Sequence, residues 1–152
     1  MSQLTRDRRW LRAAIELSRK SPVVSSAYAV GAIVVDPGER ELATGYSRET
    51  DSLVHAEESA LAKLAEAELA DATMYTSLEP CTARKSRPRT CTQLILAAGL
   101  RRVVFALHEP PLFADCHGVE LLRAAGVEVI EIPELAGDVW AVNAHLLDSP
   151  RP

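Results

Sequence analysis

The sequence contains no apolar run near the roughly 18 to 20 residues that a membrane-spanning helix needs, which excludes a helical span and predicts no membrane partner. It has no surplus of positive charge either. Its 17 Lys+Arg stand against 21 Asp+Glu, a formal net charge of -4, which excludes a general binder of nucleic acid or of anionic membrane surface. Cysteine is scarce and odd in number, at three, so a disulfide framework is not expected. The first residues, "MSQLTRDRRWLRAAIELSRK", are amphipathic and charged throughout, without the uncharged core of a secretory signal. The expectation is a cytoplasmic protein whose cysteines serve as ligands, catalysts or small core residues. Repeats, linkers and low-complexity tracts are also missing, so the 152 residues predict a single domain over 1–152.

What is present alternates between helical and extended patterns. Trp10, Leu11, Ala14, Ile15 and Leu17 recur at helical spacing and predict a helix over about 4–20, ended by Ser21-Pro22. "YAVGAIVVD" (28–36) is apolar on both faces, as a central strand is, and "PGER" turns it into a hairpin partner at 41–47. A second helix is predicted from His55 to about Leu69, followed by a strand at 73–78. A third helix begins near Cys91 with Gly99 as its stop. Then come the strand "RVVFAL", the helix "GVELLRAAG", the strand "VEVIEI" and a last helix over about 134–147. Strand, helix and strand in that order imply a parallel pair. The predicted fold is a three-layer α/β/α domain with a mixed five-stranded sheet, its last two strands parallel.

Three residues in this frame carry metal-ligand chemistry. His55 opens the second helix, Cys81 follows a strand, and Cys91 opens the third helix. A catalytic zinc site takes three protein ligands and keeps its fourth position for water. Imidazole and two thiolates form such a set, and a helix N-terminus favours the thiolate. Glu57 lies two residues from His55, close enough to exchange protons with water held there, while Glu58 points elsewhere and is expected to be solvated or to complement the helix dipole. Singly, a histidine at a helix start is more often a cap and a buried cysteine more often a small hydrophobe. Their order, "HAE", then a strand, then "EPC" and a second cysteine, is that of the zinc deaminase signature.

With "VGAIVVD", "GYS", "HAEESAL", "ATMYTSLEPC", "LILAAGLRRVVFAL" and "GVELLRAAGVEV" in succession, the chain resembles the cytidine deaminase-like superfamily over roughly residues 7–132. Within it, the chain is most similar to the pyrimidine deaminase domain of riboflavin biosynthesis. The resemblance implies one zinc ion per chain on His55, Cys81 and Cys91, with Glu57 moving protons. It also implies hydrolytic deamination of a small amino-heterocycle, and a homodimer or homotetramer. The preferred substrate is an aminopyrimidine; guanine, cytosine or a triazine is the alternative. Two departures bear on the substrate. Nine residues separate the cysteines, against two in the commonest signature, and Ala27-Tyr28-Ala29 stands where an Asn-Pro is expected.

The nine-residue loop places Arg84, Lys85, Arg87 and Arg89 beside the expected metal on an otherwise acidic chain, and such a cluster can bind a substrate phosphate. Glu109 and His117, in segments after the strand "RVVFAL", are expected at the substrate rim. Two other classes are weighed. A structural zinc module would need Cys116 or His117 as a fourth ligand. A nucleic-acid deaminase would need a wider basic footprint than one loop.

Overall fold

The structure is a computed structural model that describes residues 2–84, 87–110 and 116–147. Its five strands are β1 (Gly31–Val35), β2 (Glu41–Tyr46), β3 (Thr73–Leu78), β4 (Arg102–Leu107) and β5 (Glu128–Glu131). They form one sheet in the order β2-β1-β3-β4-β5. β1 runs antiparallel to both β2 and β3, whereas β3, β4 and β5 are parallel. All five β1 residues are buried, as a strand apolar on both faces requires.

Helix α1 (Gln3–Ser18) packs on one face against β1 and β3, joined there by α5 (Ala136–Val142). On the other face lie α2 (Ala56–Ala62), against β2 and β1, then α3 (Cys91–Ala98) and α4 (Gly118–Ala124). The predicted three layers are therefore present. Gly45 lets α2 come close: a Cβ there would sit 2.2 Å from the Ala56 carbonyl oxygen and 2.6 Å from the Ala60 nitrogen. Among the described residues no helix is long and apolar enough to cross a membrane.

Three boundaries differ from the sequence reading. The first strand begins at Gly31 instead of residue 28. Helix α2 stops at Ala62, and the chain continues through tight i−3 turns (Lys63 N–H to Ala60, Leu64 to Leu61, Ala67 to Leu64) that return Leu69 to the core at 2% exposure. The last helix is divided into α5 and α6 (Ala144–Leu147) by Asn143. The buried Asn143 amide accepts from the Ala29 N–H at 2.8 Å and donates to the Ala29 carbonyl at 3.2 Å. It thus ends the helix while satisfying backbone groups just ahead of β1.

Candidate active site and metal centre

The C-terminal ends of β3 and β4 and the N-termini of α2 and α3 meet at one edge of the sheet, where open α/β folds place ligands. His55 is the extended N-cap of α2. Cys91 is the first residue of α3, whose start is fixed by a reciprocal cap. The Thr90 hydroxyl accepts from the Gln93 N–H at 3.2 Å and the Gln93 side chain accepts from the Thr90 N–H at 2.9 Å. Cys81 follows β3 by three residues, and its sulfur accepts the Cys91 N–H at 3.2 Å.

The ligand atoms of His55, Cys81 and Cys91 lie within 4.8 Å of one another. His55 Nδ1 is 3.3 Å from the Cys91 sulfur and 3.6 Å from the Cys81 sulfur. Tetrahedral zinc with ordinary Zn–S and Zn–N bonds separates neighbouring N and S ligands by about 3.6 Å. The donor set therefore fits zinc in both chemistry and spacing. No fourth His, Cys, Asp or Glu among the described residues joins it. Cys116 instead donates to the Pro80 carbonyl at 3.2 Å, and His117 is exposed beside Glu120, so neither closes the shell.

The Cys91 thiol, with help from His55 and the Cys91 N–H and against the effect of burial, pushes Cys81 down to about 4. The Cys81 sulfur and burial push Cys91 up. Burial opposes protonation of His55, but the Cys81 sulfur and Glu57 outweigh it and raise its pKa. Glu57, in the first turn of α2, is 4% exposed. Burial pushes it up to about 7, with the Cys81 charge adding and His55 opposing. A carboxyl so poised can both take and give a proton near neutral pH.

Glu57, His55 and Cys81 open onto a cavity of about 680 Å³ that Arg48, Arg84 and Glu109 also line. That is the size of a small-molecule site. Glu109 lies on the wall, as the sequence places it, and burial pushes it up to about 7 against the hydrogen bond from Cys116. Glu79, which sequence reasoning passed over, also lines the cavity at 4% exposure. Its carboxylate accepts from the N–H groups of Glu109 (3.2 Å) and Val119 (3.0 Å) and pairs with His108 Nδ1 (3.2 Å), joining the ends of β3 and β4 to α4. Its place directly before Pro80-Cys81 is the one signal the sequence offers for it.

The basic loop is organised differently from a phosphate cluster. The Arg84 side chain is 1% exposed and donates to Glu58 at 2.9 Å and to the Leu53 carbonyl at 2.8 Å. Arg87 pairs with Asp51 at 2.5 Å and with Glu58 at 3.5 Å. Arg89 is exposed, and neither Arg87 nor Arg89 lines the cavity. Lys85 lies outside the described residues. Glu58, expected to be solvated or to complement the helix dipole, does the second: it sits in the first turn of α2, accepts the His55 N–H (3.2 Å) and also receives both arginines. These cations arrive with their countercharges because the 51–58 segment folds against the loop.

Residues 4–107 match the family model described as the cytidine and deoxycytidylate deaminase zinc-binding region. The chain is 39% identical over 126 residues to a diaminohydroxyphosphoribosylamino-pyrimidine deaminase of Schizosaccharomyces pombe, covering 80% of this chain and 31% of that protein. The structure of RibD from Acinetobacter baumannii superposes with a TM-score of 0.81 at 27% identity, covering 97% of this chain and 41% of that one. The Aspergillus oryzae Rib2 deaminase, solved in complex with DARIPP, superposes with a TM-score of 0.78 at 26% identity, covering 90% and 89%. The chain spans about a third of the length of the curated relatives it matches.

Proposed function

This chain belongs to the cytidine and deoxycytidylate deaminase zinc-binding family, and from that premise we propose that it is a zinc-dependent hydrolytic deaminase of an aminopyrimidine. The substrate class is a diaminohydroxypyrimidine bearing a phosphoribosylamino group, as named for the 39% identical relative. The carrying observation is the convergence of His55, Cys81 and Cys91, with His55, Cys81 and the buried Glu57 lining one cavity.

His55, Cys81 and Cys91 would hold the zinc. When bound, zinc supplies a Lewis acid that makes a water acidic enough to react at neutral pH. The chain's own groups do the rest. Glu57 takes the proton of the attacking water on its carboxylate and returns protons to the ring nitrogen and the departing amine. The ring keeps the oxygen of water and ammonia leaves. Glu57 is 4% exposed, so a proton it holds is shielded from bulk solvent. The reading extends to a cytoplasmic homo-oligomer.

The test is ammonia release from the phosphoribosylamino-pyrimidine by the zinc-loaded protein and its Glu57→Gln variant. The variant is expected to keep stoichiometric zinc and lose activity by about 10²- to 10⁴-fold. Near-normal turnover by that variant would remove Glu57 from the reaction. No ammonia from this compound, but turnover of guanine, cytosine or a triazine, would move the assignment to the alternative substrates.

A further inference from the structure

The phosphate of such a substrate needs a cation, and of the three arginines between the two cysteines Arg84 is engaged by Glu58 and Arg87 by Asp51 and Glu58, while Arg89 does not line the cavity. Arg48 is different. It lies two residues beyond β2 and lines the same cavity as His55 and Glu57. Its backbone has φ 61, a left-handed conformation that L residues other than Asn or Asp seldom adopt. The conformation is held by its N–H donating to the Val54 carbonyl at 2.8 Å, one residue before the His55 ligand.

The guanidinium is stretched between backbone carbonyls. Nε and Nη2 donate to Pro22 at 3.0 and 2.8 Å, and Nη1 donates to Tyr28 at 3.3 Å. Those bonds use three of its five N–H groups and leave two. Among the described residues no salt bridge to it is formed, so its partners there are backbone carbonyls and no carboxylate neutralises it. Burial without an anion lowers its pKa, and an anion arriving there would reverse that effect. A strained backbone that fixes a half-buried, unneutralised cation in a ligand-sized cavity is a recognition device more than a surface feature.

We infer that Arg48 is the anion-recognition residue of this cavity and binds the phosphate ester of the substrate, oriented by the Pro22 and Tyr28 carbonyls. The inference rests on the deaminase reading. It places the phosphate on the 47–54 segment next to His55 and not on the loop between the cysteines.

The experiment compares the phosphoribosylamino-pyrimidine with the same compound lacking its phosphate, using zinc-loaded wild type, Arg48→Gln and Arg48→Lys. In wild type, kcat/KM favours the phosphorylated compound. Arg48→Gln is expected to reduce that preference by about 10- to 100-fold, mainly through KM, with Arg48→Lys between the two because it keeps the charge and loses the fork. Inorganic phosphate added to wild type should compete with the phosphorylated compound and far less with the other, an arm that needs no variant to fold. Equal use of the two compounds by wild type, equal loss of both in Arg48→Gln, or phosphate that inhibits neither overturns the inference alone. A wild type that releases ammonia from neither compound defeats the deaminase reading and this inference with it.

Discussion

Asp7 is, like Glu57 and Glu79, an acid buried in the interior. At 1% exposure it accepts from both terminal nitrogens of Arg102, at 2.8 and 2.6 Å, from the Tyr75 hydroxyl at 2.7 Å and from Gln3 at 3.0 Å. Burial alone would raise its pKa, but these donors outweigh it and hold the carboxyl below its ordinary 3.8. A depressed folded value means that the ionised form stabilises the fold. That stability is present in full above about pH 4 and is lost as pH falls through the lower folded value. Asp7→Asn should destabilise the protein by about 3 kcal/mol at neutral pH, since Arg102 is left without its main partner. It should also flatten the acid limb of a pH series of urea unfolding free energies. An unchanged acid limb would show that Asp7 does not carry it. At this scale the convergence of His55, Cys81 and Cys91 was legible because the chemistry of a candidate metal site is carried by residue type and order. The Asp7–Arg102 pair, 95 residues apart in sequence, was not.

Between residue and fold, the elements themselves are tied to the site. Glu58 in α2 and Arg84 after β3 form a clamp that joins the His55 N–H, the Leu53 carbonyl and the loop leading to Cys91. Arg84→Ala should weaken zinc binding by about 10- to 100-fold, the range seen when partners behind metal ligands are removed. Chelator competition reads this directly, and unchanged affinity would make the clamp purely structural. Gly45→Ala would drive a methyl into the backbone of α2 and should cost about 1–3 kcal/mol while disturbing the helix that carries Glu57. Thermal melting and turnover together check it. Strand existence and order of elements were readable because apolar periodicity is local. The end of α2 and the break at Asn143 were not, because Leu69 and Ala29 reach their partners only in the folded chain. The pairing of Arg84 and Arg87 was hidden for the same reason: their countercharges, Glu58 and Asp51, come from a segment about 30 residues away.

For the whole molecule, the two sheet faces and the site are one object. The parallel strands β3 and β4 end where α2 and α3 begin, so folding of the sheet brings His55, Cys81 and Cys91 together, and zinc bound there would hold three elements at once. Zinc in excess should therefore raise the unfolding free energy by about 4 kcal/mol at a thousand times its Kd, and chelation should lower the melting temperature accordingly. A metal-independent melting curve would contradict that coupling. The central claim is a three-ligand centre with one position left for water. Zinc K-edge X-ray absorption of the purified, zinc-loaded protein measures it most directly. The account predicts two sulfurs at about 2.3 Å with one nitrogen and one oxygen at about 2.0 Å. A third sulfur or a second imidazole in place of the oxygen, or a protein that takes up no zinc, would contradict it.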